Sequence, residues 1–421
     1  MDARRSAAGA PAARLPARLP GIEGLRAIAA GTILVIHCWN YDGQVGVGST
    51  EPAATVLENL SLGVVLFFAL SGFLLYRPFA AAIARAEELP RVGRYLRNRA
   101  LRILPAYWVI LLVTSLVLVS ANLRDGDGHL LIGALDDPLE LLASALLVQQ
   151  YDPDTLLVGI GPAWSLAVEA VFYLLLPILV IAAARAARGR RVRAERVRIL
   201  LAPALALLAL GLAGKLVAGG VLGGAPDEGW QSDWYSVLVR SFLVQADLFA
   251  FGMAAAVAHT EAVDGRLTLP RHWRAIALVL SLTLLAAAAV TLGQGQLGWL
   301  PQNTVVALAA ALLVAAISFP GPADGALWLR RVLETRALVA VGIVSYSVFL
   351  WHEPVIRWLA EHGVMRAGAI GFVWNLVVTI VAVGILSMLS YRFVERPALR
   401  RKHRPAATDT PMAAAQLEAA P

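Results

Sequence analysis

Residues 164–184 read WSLAVEAVFYLLLPILVIAAA, an apolar run in which Glu169 is the single charge. About 20 consecutive apolar residues cross the hydrocarbon core of a bilayer as a helix, so this run predicts a membrane span. Nine further runs of the same character surround it, at 25–39, 60–76, 101–119, 199–221, 236–258, 274–292, 303–318, 337–359 and 371–391. The composition agrees. Of 421 residues, 58% are hydrophobic and 15% are charged, whereas a soluble domain carries about 25% charged residues. The expected fold is all-α, a polytopic integral membrane protein with about ten transmembrane helices. The stretch 139–148 is apolar but too short to cross, and reads as an interfacial or re-entrant helix. The runs at 25–39 and 303–318 are also short, and need flanking residues or a thinned bilayer.

The net charge of +7 would suit nucleic acid, yet the basic residues are spread over separate loops. With the N-terminus inside, cytoplasmic segments carry 31 of the 36 Lys and Arg residues, and the outer loops carry mainly Asp and Glu. That asymmetry is the positive-inside pattern; it predicts both termini in the cytoplasm and no nucleic-acid partner. Residues 1–20 lack the apolar core of a signal peptide, which predicts that the first hydrophobic segment stays as a span. Residues 1–20 read as a cytoplasmic N-terminal segment, 21–398 as the membrane domain, and 399–421 as a cytoplasmic, disordered tail. A single cysteine, Cys38, excludes an internal disulfide and a cysteine-based metal cluster; no metal site is expected.

Ionisable groups inside spans are costly and by default mark function. In the first span, EGLRAIAAGTILVIHCWNY (23–41), Arg26 and His37 are eleven residues apart and face one way, about 16 Å apart along the axis. A snorkelling Arg26 and an interfacial His37 are the plainer alternatives. Arg99 and Arg102 lie one turn apart where the third span begins, a pair suited to bidentate phosphate binding, or to ordinary orientation charge. Ser71 and Gly72 in FFALSGFLLYRPF could pack against a neighbouring helix or leave room for a ligand chain. In the fourth span Ser165 and Glu169 share a face. Glu169 needs a partner from another helix, and His37, at matching depth, would supply it; such a pairing would orient the imidazole as a base. His352 and Glu353 come two-thirds of the way along the ninth span, before helix-breaking Pro354. Arg240 and Asp247 read as a structural ion pair on one face of span six, and Lys215 as a solitary snorkelling side chain.

Several of these strings occur together in one order: Arg26-x10-His37, SGF at 71–73, Arg99-x-x-Arg102, WSLAVE at 164–169, ADLFAFGM, YSVFLWHEP at 346–354, and ERP at 395–397. The set resembles acyltransferase family 3, integral-membrane enzymes that acylate bacterial surface polysaccharides, some peptidoglycans, nodulation factors and macrolides. The resemblance covers about residues 20–398. It implies an enzyme transferring an acyl group, acetyl by default, from cytoplasmic acyl-CoA to a hydroxyl of an extracytoplasmic or lipid-linked glycan or a secondary metabolite. It also implies a bacterial plasma membrane, with acyl-CoA, a glycan, glycolipid or small-molecule acceptor and membrane lipids as partners and no bound cofactor. Many family members carry a hydrolase-like domain after the spans, so acceptors that need that domain are not expected for residues 1–421.

By the resemblance His37 is catalytic, Arg99 and Arg102 hold the donor, and Arg26 completes the first motif. The residue reading adds Glu169 to the catalytic set. It places Ser71, Trp164, Ser165, Tyr346, His352 and Glu353 in an acceptor or acyl pocket. His37 would either deprotonate the acceptor or carry the acyl group, and both routes stay open. The outer loops at 41–59, 121–163 and 222–235 would select the acceptor, with Tyr41, Tyr151, Trp230, Trp234 and Tyr235 available to stack on sugars. The alternative class is a transporter or flippase of a lipid-linked glycan, which would show internal repeats; residues 20–220 and 220–398 share no motif.

Overall fold

The computed structural model describes residues 19–41, 59–221, 231–292, 299–320 and 327–401. Expectations for the N-terminal segment, the tail and Trp230 fall outside the described residues. The elements are α1 (Ile22–Tyr41), α2 (Gly63–Arg85), α3 (Val92–Leu112), β1 (Ala121–Arg124), β2 (Leu130–Gly133), α4 (Pro138–Ala145), α5 (Trp164–Ala187) and α6 (Arg193–Leu216). They continue as α7 (Trp234–Val239), α8 (Phe242–Gln245), α9 (Asp247–Val263), α10 (Trp273–Ala287), α11 (Trp299–Ser318), α12 (Leu327–Leu333), α13 (Arg336–Glu361) and α14 (Gly368–Ser390).

Ten stretches among the described residues are long and apolar enough to cross a membrane, and they coincide with the ten expected runs. A helix is the form in which a single segment satisfies every backbone group without water. α1 and α11 reach 20 residues each by taking in flanking residues, about 30 Å at 1.5 Å per residue. Pro354 lies inside α13, which runs on to Glu361. The ring removes one backbone N–H, and membrane helices tolerate that loss, so the expected break does not occur.

The sixth span differs from expectation. The chain is helical at 234–239, breaks at Arg240 and Ser241, and resumes at Phe242. Between the third and fourth spans lies a hairpin, with Ala121 opposite Gly133, followed by α4, which Asp137 caps. Leu139, Leu142 and Leu146 of the α4 region are exposed, as an interfacial helix requires. The sequence reading missed the hairpin, although Asp-Gly pairs are strong hairpin signals.

Two apolar cores hold the bundle. One joins α2, α5, α6, α9, α10 and α11; the other is formed chiefly by α1, α3, α13 and α14 with the segment after the hairpin. At the crossing of α2 and α9 a Cβ on Gly72 would collide with the Phe249 carbonyl, and one on Gly252 with the Ala69 carbonyl. The two backbones therefore pack in contact, as small residues permit in membranes. This close packing turns the neighbouring residue, Ser71, toward the seam between the cores.

Candidate active site

At that seam lies a cavity of about 130 Å³. α2 lines it with one helical stripe, Val64, Phe67, Phe68, Ser71, Leu74 and Leu75. Arg26 enters from α1, Arg99, Arg102 and Ile103 from α3, Ser165, Leu166, Glu169 and Tyr173 from α5, and Tyr346 and Phe349 from α13. Six of the residues expected from sequence to form a site thus meet around one space: Arg26, Ser71, Arg99, Arg102, Ser165 and Glu169. Tyr346 makes the seventh.

The polar part of the lining is a network with spare capacity. The Glu169 carboxylate accepts hydrogen bonds from the Ser71 hydroxyl and from the Tyr173 hydroxyl, the latter at 2.9 Å. Arg26 and Arg99 lie within its electrostatic reach. Arg102 Nη1 is 3.1 Å from Glu395 Oε2, and Glu395 Oε1 accepts from Ser347 Oγ at 2.6 Å. The Tyr346 hydroxyl donates to the Ile103 carbonyl at 2.9 Å, which holds its ring 5.8 Å from the Arg102 guanidinium. Among the described residues Arg26 has only a 3.6 Å contact with Glu23. Arg99 Nε is buried with no hydrogen-bond partner among the described residues. Glu23, Glu169 and Glu395 match the three guanidiniums in number, but Arg99 Nε has no acceptor, and a buried guanidinium donor without an acceptor is costly. That open donor favours an anion.

His37 is not on the cavity wall, and the structure overturns its expected pairing with Glu169. Its Nδ1 is 2.9 Å from the Ile33 carbonyl, and its ring meets the buried His352 ring edge-on at 4.7 Å. The carboxylate within electrostatic reach of His37 is Glu353, which pairs with Arg357 one turn along. Gly161 makes room for it: a Cβ there would collide with the Glu353 carboxylate and the Asn122 amide. Glu169 faces α2, within reach of Arg26 and Arg99, and Glu353 lies within reach of His37. The ionisable groups therefore divide into two sets. Glu169 belongs with the arginines; His37, His352 and Glu353 form the second group.

Other expectations also change. Trp164 is not on the cavity wall; its ring packs against Phe68 at 6.3 Å. Ser165 lines the cavity, but its hydroxyl donates to the Pro162 carbonyl at 3.0 Å. Arg240 and Asp247 do not form the expected pair, because the break at Arg240 separates their faces. Asp247 instead takes Lys215 as its ion-pair partner and accepts from Thr304 Oγ1 at 2.5 Å. Lys215 is buried and also donates to the Val244 carbonyl at 3.1 Å, so it does not snorkel. Tyr173 and Phe349 were missed. The i,i+4 spacing of Tyr173 from Glu169 was the available signal for the first.

In the hairpin turn, ligand atoms of Asp125, Asp127 and His129 lie within 4.8 Å of one another and could meet a cation. The His129 backbone N–H, at 2.8 Å, is the main cause holding the Asp125 carboxyl below its ordinary value.

Residues 19–392 match the model of a family described as an acyltransferase domain. The acyltransferase MdmB of Streptomyces mycarofaciens is 30% identical over 416 residues, covering 93% of this chain and 95% of that protein. YrhL of Bacillus subtilis, provisionally named a peptidoglycan O-acetyltransferase, is 25% identical over 390 residues, 90% of this chain and 54% of that protein. The peptidoglycan O-acetyltransferase OatA of Listeria monocytogenes is 23% identical over 393 residues, 90% of this chain and 55% of that protein. The chain thus spans about half the length of these last two relatives. No solved structure matches.

Proposed function

This chain belongs to acyltransferase family 3 and is an acyltransferase, and on that premise we propose that it moves an acyl group from acyl-CoA to a hydroxyl of a glycan, glycolipid or small-molecule acceptor. The observation that carries the proposal is the cavity itself, lined by three arginines and joined to His37 through the rings of Phe349 and His352. Acyl-CoA matches that polarity, having phosphates at one end and a thioester at the other. Guanidiniums suit the phosphates, because each fork donates two parallel hydrogen bonds. The arginine-rich face lies in the cytoplasm, where acyl-CoA is made, and the hairpin face lies outside. This orientation follows from the distribution of Lys and Arg. The chain is a multi-pass protein of a bacterial plasma membrane.

His37 is the base. A carbonyl oxygen only accepts, so the 2.9 Å contact between Nδ1 and the Ile33 carbonyl puts the hydrogen of the neutral imidazole on Nδ1. The Nε2 lone pair is then free. It takes the proton of the acceptor hydroxyl as that oxygen attacks the thioester carbonyl. The carbon–sulfur bond breaks, an ester bond forms, and the departing thiolate of CoA receives the proton. Glu353 favours the transient imidazolium. Glu169 offsets the arginine charge and keeps the Ser71 and Tyr173 hydroxyls at the cavity wall. An acyl-histidine would use the same Nε2. Rapid quench with radiolabelled acetyl-CoA alone separates the routes, since only the covalent one labels the protein.

The relatives named for peptidoglycan O-acetylation favour a glycan acceptor, and acetyl as the acyl group. No observation favours transport. Membranes holding the protein, given radiolabelled acetyl-CoA and in turn a peptidoglycan fragment, a glycolipid and a hydroxylated macrolide, should pass label to one of them. Label retained wholly in acetyl-CoA with all three would overturn this assignment of donor and acceptor class.

A further inference from the structure

Aromatic rings run from the cavity wall to His37. Phe67 and Phe349 both line the cavity, and their rings meet at 6.0 Å in an edge-on contact. Phe349 touches His352 at 5.7 Å, and His352 touches His37 at 4.7 Å. An unbroken series of ring contacts therefore joins the cavity wall to the imidazole. With Val64, Phe68 and Leu166 these two phenylalanines make an apolar wall, beside which the Ser165 hydroxyl is bonded to the Pro162 carbonyl. The arginines, Glu169 and Tyr173 make the other part polar.

The stripe on α2 from Leu75 to Val64 spans eleven residue steps, about 16 Å at the helical rise. A ligand in this space has an anionic part on the arginines and a small apolar part against the rings. The volume is about 130 Å³, comparable with the roughly 150 Å³ apolar cavity that admits benzene. That room takes a few carbon atoms and excludes a fatty chain.

We propose that Phe67 and Phe349 form the floor against which the acyl group of the donor rests, and that these two rings restrict transfer to short acyl chains. The proposal rests on the acyl-CoA reading of the cavity and names the residues that select the acyl length. A longer chain must displace a ring that is already packed against its neighbours. Each methylene that a pocket rejects or accepts changes discrimination by roughly 10- to 200-fold. Opening the floor should therefore change the ranking of donors more than the binding of CoA itself.

The test uses the full chain in lipid nanodiscs and measures competition of free CoA, acetyl-CoA, butyryl-CoA and hexanoyl-CoA against radiolabelled CoA. The proteins are the wild type, Phe349→Ala, Phe67→Ala and the gentler Phe349→Leu. In the wild type hexanoyl-CoA should bind at least about tenfold more weakly than acetyl-CoA. Phe349→Ala and Phe67→Ala should bring the two within about threefold, Phe349→Leu should fall between, and free CoA should bind all four proteins alike. Retained binding of free CoA shows that a variant has folded. A ranking that stays at its wild-type value in every variant that binds CoA overturns the proposal, as does equal binding of hexanoyl- and acetyl-CoA by the wild type. A wild type that binds neither CoA nor its thioesters refutes the acyl-CoA reading, and this proposal falls with it.

Discussion

Lys215 and Asp247 are buried between α6 and α9, and Arg26, Arg99, Arg102 and Glu169 stand half-buried between α1, α2, α3 and α5; the two groups solve the same problem differently. Around Asp247 each charge has its partners. Lys215 serves one carboxylate oxygen and Thr304 the other. The helices close over them, with Gly211 packed directly against Asp247. Around the cavity the charges surround a space, and Arg99 Nε is left without a bond. A charge within a span is thus not by itself a sign of function. A charged group that the fold leaves unbonded beside a cavity is the better sign.

The contrast can be broken most sharply at His37. His37→Ala should cut acyl transfer by roughly 10²- to 10⁴-fold, the contribution of a positioned general base, with the apparent melting temperature unchanged. A transfer rate near the wild-type value, measured as ester formed per folded molecule, would remove His37 from the mechanism.

Arg99→Ala and Arg102→Ala should each raise the KM for acyl-CoA by roughly 10- to 100-fold, as expected for loss of a charged hydrogen bond. Arg102 belongs partly to the structural class, because Glu395 depends on it. Its loss should lower thermal stability as well, whereas Arg99→Ala should not. Equal stability of the two variants would contradict this division.

Lys215→Met tests the closed group. It leaves Asp247 buried and without its cation, costing about 3–5 kcal/mol, read as a lower melting temperature with kcat per folded molecule unchanged. Lys215→Met combined with Asp247→Leu should recover most of that loss, since apolar replacement of a whole buried pair is often neutral. A fall in kcat for the stable double variant would make the pair functional.

The smallest effect concerns Asp264, just past the end of α9. Burial pushes its carboxyl up, but bonds from Arg85 and Arg193 outweigh burial and hold it below its ordinary value. The folded value is the lower one, so its contribution is complete at neutral pH and is lost as pH falls through the acid range. Thermal unfolding followed from pH 7 to pH 3 should show less loss in Asp264→Asn than in the wild type. Parallel curves would remove Asp264 as a cause.

The ten spans were legible because span length and hydropathy are properties of consecutive residues. Which charges stand apart from lipid was legible for the same reason, and it brought Arg26, Arg99, Arg102, Glu169 and His37 to notice. Pairing was not, because it depends on lateral position. The sequence places His37 and Glu169 at one depth, yet α5 sets Glu169 against Ser71, within reach of Arg26 and Arg99, while α13 brings His352 and Glu353 to His37. Arg240 and Asp247 share a face only if the helix is continuous, and the break at 240–241 was not visible in a run that is apolar on both sides. Phe67 and Phe349 look like ordinary core residues until the cavity beside them is seen.

Acceptor-dependent release of free CoA from acetyl-CoA, compared in the wild type, His37→Ala and Arg102→Ala at equal amounts of folded protein, tests the account most directly. Release should be strong in the wild type, lost in His37→Ala and, with acetyl-CoA at or below the wild-type KM, strongly reduced in Arg102→Ala, once the acceptor that takes up label is supplied. Full release by both variants would contradict the assignment of the cavity and His37 as the site of acyl transfer.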